Sequence, residues 1–375
     1  MLIFGTRPEA IKLAPVIFAL KRHPARFDIK ICVTAQHRLM LDQVLDLFSI
    51  KPDYDMNIMS KNQSLFDITT RTMTGLKKIL SDEKPDIIIV QGDTTAAFIS
   101  ALAAFYCKIP IGHVEAGLRT YDKYQPFPEE ENRHLISVLA DFNFAPTARA
   151  QENLISEGIS PKKIWITGNT VIDALFITVE KQNQGSFLRE IEKYFSVNWK
   201  ISKNDYQKMI LVTGHRRESF GEGFKNICRA LKTIAQNNPD ASIIYPVHLN
   251  PSVRTPVFEI LGKSKNIRLI DPLGYSRFVY LMNKSKFILT DSGGIQEEAI
   301  SLKKPLLIMR AATERPEGVA VGAAKLTGTD ADLIVLESQK LLDDEGECKK
   351  MIVKKNPYGD GNAAVRIADI LACAF

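Results

Sequence analysis

The sequence predicts a doubly wound α/β fold built twice along one chain. Short runs rich in Ile, Val and Leu recur without polar alternation, as in strands buried on both faces of a parallel sheet. Amphipathic stretches of helical length separate them, which is the rhythm of helices laid on both sides of such a sheet. The rhythm lapses once near the middle and then resumes, and 375 residues is the length of two domains.

In the first half the candidate strands are residues 2–4, 29–34, 86–91, 111–115, 142–145 and 164–167. Helical patterns cover 8–22, 39–48, 94–106 and 129–140. The lapse falls at 181–208, a polar stretch containing Gln182-Asn183-Gln184-Gly185, which predicts a linker with a short helical excursion. Beyond it the strands are 209–213, 242–246, 267–270, 287–290 and 306–309, with a helix at 223–236. Two such lobes facing one another would gather their strand ends around one ligand.

Composition removes several classes of function. Apolar residues make up 45% and charged residues 25%, ordinary for a globular protein and far from disorder. The five cysteines are scattered without a C-x-x-C pair, which suits a reducing cytoplasm rather than a disulfide scaffold. The six histidines stand singly, so a zinc site is not expected. The longest apolar stretch, near 96–107, is too short for a bilayer, and no signal peptide is evident. The net charge of +6 is spread in pairs such as Arg216-Arg217, too thin a stripe for nucleic acid but compatible with a small anion.

In open α/β sheets ligands sit beyond the carboxyl ends of the strands, so the residues after each apolar run matter most. After 2–4 comes Gly5-Thr6-Arg7-Pro8-Glu9. Thr6 and Glu9 have capping-box spacing and Pro8 suits a first helical turn. Capping does not account for Arg7, a guanidinium at the mouth of the sheet where a phosphate fits, and Lys12 can reach the same place. Gly92-Asp93-Thr94-Thr95 opens a helix that Asp93 could cap. Glu115, directly at a strand end, has no capping role. Of Glu129, Glu130 and Glu131, helix-dipole preference accounts for two. Carboxylates gathered at neighbouring strand ends point to acid–base chemistry.

In the second half, Gly214-His215-Arg216-Arg217-Glu218 places a histidine beside two arginines at a strand end. In Thr290-Asp291-Ser292-Gly293-Gly294-Ile295-Gln296-Glu297-Glu298 a strand leads through small residues into a helix, whose free N–H groups attract phosphate. Glu298, one turn on, suits a ribose diol. Tyr280 and Lys284 match the Y-x-x-x-K of nicotinamide-dependent enzymes, but no G-x-G-x-x-G follows the first strand and no P-loop is present.

These motifs, together with Thr34-Ala35-Gln36-His37-Arg38, Gly112-His113-Val114-Glu115-Ala116-Gly117-Leu118-Arg119, Gly168-Asn169-Thr170, Pro246-Val247-His248-Leu249-Asn250-Pro251 and Asn356-Pro357-Tyr358-Gly359-Asp360-Gly361, run in order over nearly the whole chain. The chain resembles the non-hydrolysing UDP-N-acetylglucosamine 2-epimerases. The resemblance implies two Rossmann-like domains in the GT-B arrangement, residues 1–170 with the catalytic carboxylates and 171–356 binding UDP. Residues 357–375 would then form a helix that crosses back to the first domain. It also implies a cytoplasmic homodimer, without metal or redox cofactor, acting on UDP-GlcNAc and UDP-ManNAc for surface polysaccharide synthesis.

Position by position, it makes Asp93, Glu115, Glu129 and His215 catalytic. Arg7, Lys12, Phe278, Ser292, Gly293, Glu298 and Arg315 would bind substrate. Gln36, Arg216 and His248 match an activator site found in some members. The sequence departs from the family where Arg310-Ala311-Ala312-Thr313 replaces Arg-Asp-Thr-Thr, where Tyr121 replaces Gly and Ile300 replaces Pro, and at Leu39 and Asn62. The implied reaction eliminates UDP as the C2 proton leaves, giving 2-acetamidoglucal, and then re-adds both. Its rivals are a hydrolysing epimerase, a GT-B glycosyltransferase and a silent nucleotide-sugar sensor.

Overall fold

The computed structural model describes residues 1–35, 38–60, 63–214, 216 and 221–375. The chain forms two compact units, residues 1–177 with 358–375, and residues 178–357.

The first unit alternates strands and helices: β1 (Leu2–Phe4), α1 (Arg7–Lys21), β2 (Ile31–Val33), α2 (Arg38–Leu47), β3 (Tyr54–Asp55), α3 (Leu65–Glu83), β4 (Ile88–Gln91) and α4 (Thr95–Tyr106). It continues with β5 (Ile111–Val114), α5 (Glu129–Leu139), β6 (Phe142–Ala145), α6 (Ala148–Ser156), β7 (Ile164–Ile166) and α7 (Thr170–Gln182). Among the described residues these strands make one seven-stranded parallel sheet, ordered β3-β2-β1-β4-β5-β6-β7. The order reverses between β1 and β4, so their carboxyl ends open the crevice where such sheets bind ligands.

Packing follows the sequence pattern. Ile3, Cys32, Ile88, Val90 and Ile111 are all buried, and helices α3 and α4 cover them with Leu76, Leu80, Ala97, Ala101 and Ala104. The alanines on α4 let that helix lie close to the sheet. The turn after β5 is also tight: a Cβ on Gly117 would stand 2.2 Å from the Ala150 carbonyl oxygen, and its φ of 91° suits glycine.

The second unit begins with α8 (Gly185–Trp199) and proceeds through β8 (Met209–Thr213), α9 (Glu222–Asn237), β9 (Ser242–Pro246), α10 (Pro251–Leu261), β10 (Ile267–Ile270) and α11 (Tyr275–Lys284). Then come β11 (Phe287–Thr290), α12 (Gly293–Ser301), β12 (Leu306–Ile308), α13 (Pro316–Ala320), β13 (Ala324–Leu326), α14 (Ala331–Asp343) and α15 (Glu345–Lys350). Its six described strands are parallel in the order β10-β9-β8-β11-β12-β13, reversing between β8 and β11. Val212, Ile243, Tyr245 and Leu289 form a buried core with Ile227, Leu231 and Ile234 of α9. The last helix, α16 (Ala363–Ala374), belongs to the first unit, where it packs on α1.

The stretch expected as a linker is a correction. Residues 185–199 form a four-turn helix whose Ile191 and Phe195 are buried. The Phe195 ring stacks on Tyr280 at 5.8 Å, and the Arg277 guanidinium lies 3.7 Å from the Tyr194 ring centroid. Its apolar stripe is narrow and its other faces are polar, so composition masked a helix that walls the second core. Tyr280 is 2% exposed and packed in that core, which removes the Y-x-x-x-K match from chemistry. The expectation also lacked two edge strands, β3 and β13. Each has two or three residues, one of them exposed, too few to show a period.

Candidate active site

The first unit brings its charged residues together at the β1/β4 reversal and at the neighbouring end of β5. Thr6 is the N-cap of α1, and the buried Glu9 carboxylate accepts the N–H groups of Gly5 at 2.9 Å and Thr6 at 2.7 Å. The Thr94 hydroxyl, N-cap of α4, donates to the same carboxylate at 2.7 Å. Glu9 therefore ties the starts of α1 and α4 together, and its burial raises its pKa. This arrangement sets Arg7 at the first position of α1 and Lys12 further along the same helix.

Lys12 reaches Glu115. Its Nζ donates to both carboxylate oxygens, at 2.6 and 2.5 Å, with both side chains largely withdrawn from water. Glu115 follows β5 directly and has a φ of 68°, a left-handed conformation that is costly for a residue with a side chain. Gln91 Nε2 donates to Glu115 Oε2 at 2.5 Å and Asn169 Nδ2 donates to Oε1 at 2.9 Å. Every one of these contacts favours the ionised carboxylate.

Asp93 follows β4 after Gly92. It does not cap α4, since Thr94 does, so the capping explanation for Asp93 falls away. Its backbone carbonyl accepts from Asn132 Nδ2 at 2.9 Å and its carboxylate lies 2.7 Å from Arg133 Nη2. Its side chain is about 30% exposed, yet lost hydration raises its pKa, with Glu115 and Glu129 adding to the rise and Arg133 and Lys12 opposing it. Asp93 and Glu115 are thus neighbours in different surroundings, one having lost hydration and the other ringed by donors.

Helix α5 separates its three glutamates by role. Glu130 is buried and accepts the N–H groups of Thr120 and Tyr121, each at 2.9 Å. Glu131 is exposed, and Glu129 is half-buried near Asp93. Tyr121 has a φ of 62°, the conformation that a glycine would take without cost. Its hydroxyl donates to Asn153 at 2.9 Å.

In the second unit, Ser292 is the N-cap of α12 and Gly293 its first residue. A Cβ on Gly293 would lie 2.6 Å from Arg315 Nη1, so the guanidinium sits close over the helix N-terminus. A positive group above free N–H donors is a seat for an anion. Arg315 Nε also donates to Glu297 at 2.6 Å. Glu298 is buried and accepts from the Tyr275 hydroxyl at 2.7 Å, while Phe278 stands half-buried one turn further along α11. The Arg216 N–H donates to Asp291 at 2.8 Å, and Glu314 bridges Arg216 at 3.4 Å and Arg310 at 2.5 Å. Burial would raise Glu314, but the charges of Arg315 and Arg310 outweigh it and hold its pKa at about 2. His248 is exposed, its Nδ1 accepting from the Asn250 N–H at 3.1 Å. His215, Gln36 and Asn62 lie outside the described residues.

Sequence reasoning singled out Asp93, Glu115, Lys12 and Glu129, which the structure gathers. It assigned no role to Gln91, Asn169, Asn132 or Arg133. One signal was available: Gln91 is the polar last residue of an otherwise apolar strand.

Comparison with known proteins agrees with this geometry. Residues 19–372 match the family model described as UDP-N-acetylglucosamine 2-epimerase. A UDP-N-acetylglucosamine 2-epimerase of Campylobacter jejuni is 57% identical over 373 residues, 99% of this chain and 96% of that protein. The crystal structure of the Neisseria meningitidis UDP-GlcNAc 2-epimerase bound to UDP-GlcNAc superposes with a TM-score of 0.91 at 51% identity, covering 99% of this chain and 98% of the other. The Methanocaldococcus jannaschii enzyme in complex with UDP-GlcNAc and UDP gives 0.82 at 34% identity, covering 99% of each chain. With two Rossmann-like units of GT-B type and matches along its full length, the chain belongs to the UDP-N-acetylglucosamine 2-epimerase family.

Proposed function

We propose that the chain interconverts UDP-N-acetylglucosamine and UDP-N-acetylmannosamine without hydrolysis, by eliminating UDP and adding it back. The observation that carries this reading is the pair of adjoining carboxylates, Glu115 ringed by Lys12, Gln91 and Asn169, and Asp93 pushed towards its protonated form. No carbonyl adjoins C2, so removing its proton alone would leave an unstabilised carbanion. In the proposed step a carboxylate takes the C2 proton, those electrons form the C1–C2 double bond, and the C1–O bond breaks towards UDP. Re-addition of the UDP oxygen at C1, with a proton delivered to the opposite face of C2, gives the epimer. One proton leaves C2 and another is delivered to its opposite face with no net change of oxidation state, so the reaction calls for no redox cofactor.

In this reading Asp93, Glu115, Glu129 and His215 are the acid–base set. Arg7, Ser292 and Gly293 hold the diphosphate, Lys12 and Arg315 complete the substrate-binding set, Glu298 takes the ribose and Phe278 lies near the uracil. By the same resemblance Gln36, Arg216 and His248 would take the nucleotide sugar as an activator. The enzyme works as a cytoplasmic homodimer with no nucleic-acid or membrane partner, and surface polysaccharide synthesis uses the product. UDP-GlcNAc bound to the meningococcal relative supports the substrate class.

Incubation with UDP-GlcNAc in deuterated water tests the reading. Proton spectra are expected to show deuterium entering C2 of both UDP sugars while phosphorus spectra show no growing free UDP. UDP released in step with sugar turnover would establish the hydrolysing alternative, and a product without deuterium would exclude the proton-exchange route.

A further inference from the structure

Three features converge on Asn169, a 2% exposed residue at the start of α7. Its side-chain amide is fixed at both ends: Oδ1 accepts the Val171 N–H at 3.1 Å, which leaves Nδ2 to donate to Glu115 at 2.9 Å. Its backbone N–H donates to the Tyr358 carbonyl at 2.9 Å, in the segment that returns from the second unit. Beside it, a Cβ on Gly168 would lie 3.4 Å from the Gly359 Cα, so the two chains are in close backbone contact. One turn further along α7, the Asp173 carboxylate accepts the N–H groups of Ala363 and Ala364. The returning segment thus holds the start of α7 at two points.

Glu115 needs such support because its left-handed backbone is strained, and strain persists only where the surroundings over-determine it. We infer that Asn169 is a positioning residue for Glu115, itself held in place by the returning Tyr358–Gly359 segment. The inference rests on the reading of Glu115 as an acid–base group. Among the described residues, the groups facing Glu115 include Lys12 from α1, Gln91 from β4, Asp93 from the turn after β4, and Asn169; His113 of β5 is close enough to feel its charge. Removing a neutral donor from this ring disfavours the ionised form, and a second carboxylate there disfavours it further.

Full-length Asn169→Ala and Asn169→Asp test the inference through steady-state kinetics across pH, UDP calorimetry and melting curves. For Asn169→Ala, kcat is expected to fall by up to about 100-fold, as for a misplaced reacting group. KM and UDP affinity should stay within about twofold, because the substrate contacts themselves are untouched. The acid limb of the rate profile should move to higher pH, and in Asn169→Asp it should move further. A profile superimposable on the parent, whatever the change in kcat, would overturn the inference. Asn169→Ser is the second variant, read the same way; loss of folding in both Ala and Ser variants would assign Asn169 to the fold alone and overturn it too. Glu115→Gln separates the two readings: if it keeps C2 exchange, the role of Glu115 fails; if it is inactive while Asn169→Ala matches the parent, only the inference fails.

Discussion

At the scale of single residues, the first unit's site sets two carboxylates in different surroundings side by side. Glu115 accepts from an ammonium and two amides, whereas Asp93 has lost hydration, which the Arg133 and Lys12 charges offset only in part. Asp93→Asn and Glu115→Gln keep the shape and remove the acid–base function. Each is expected to lower turnover by about 10²–10⁴-fold while UDP affinity measured by calorimetry stays near that of the parent. Glu115 was legible because a carboxylate directly after a strand has no structural task of its own, whereas Asp93, which could have capped α4, was marked only by the family resemblance. Gln91, Asn169 and Arg133 were not, because an amide or a guanidinium gains its role from the partner that strand order and helix placement bring to it.

At the scale of elements, β5 shows how a strand supports the site from behind. His113 is fully buried, and its Nε2 lies 2.8 Å from the Gly92 carbonyl, so it pins the turn that carries Asp93. Burial lowers its pKa to about 4, helped by the charge of Arg119 and opposed by that Gly92 hydrogen bond. Between pH 6.5 and about 4 the unfolded chain takes up a proton at this histidine and the folded chain does not, so stability falls as pH falls through that window. The shift corresponds to roughly 3 kcal/mol at the acid end. His113→Gln should remove that part of the slope in urea unfolding curves measured from pH 7 to pH 4; an unchanged slope would show that His113 does not carry it. Most buried strands and the helices α1, α2, α4, α5 and α9 were legible at this scale. Helix α8 and the edge strands β3 and β13 were not: a narrow apolar stripe or a two-residue strand acquires its identity only from what it packs on or pairs with.

At the scale of the whole molecule, the chain leaves its first unit at α7 and comes back to it at Tyr358. Helix α16 then closes that unit with Ile367 and Leu371, both fully buried. Ile367→Ala should destabilise the first unit by about 2–5 kcal/mol, the usual cost of emptying a packed site. The two tryptophans allow it to be read: in a Trp199→Phe background, Trp165 on β7 reports the first unit alone. An unaltered Trp165 unfolding midpoint would show that the returning helix adds nothing to that unit.

By itself the sequence determined the two parallel sheets, the strand ends that carry chemistry, and the family. Apolar periodicity and residue type at a strand's end are local properties, written wherever the chain enters or leaves a buried strand. Only the tertiary structure decided that Lys12 of α1 meets Glu115 just after β5, that Thr94 rather than Asp93 caps α4, and that Asn169 is gripped by a segment nearly 190 residues downstream. Those pairings join residues far apart in the chain. They depend on strand order and on the angle at which each helix returns, and neither is recorded at any one position.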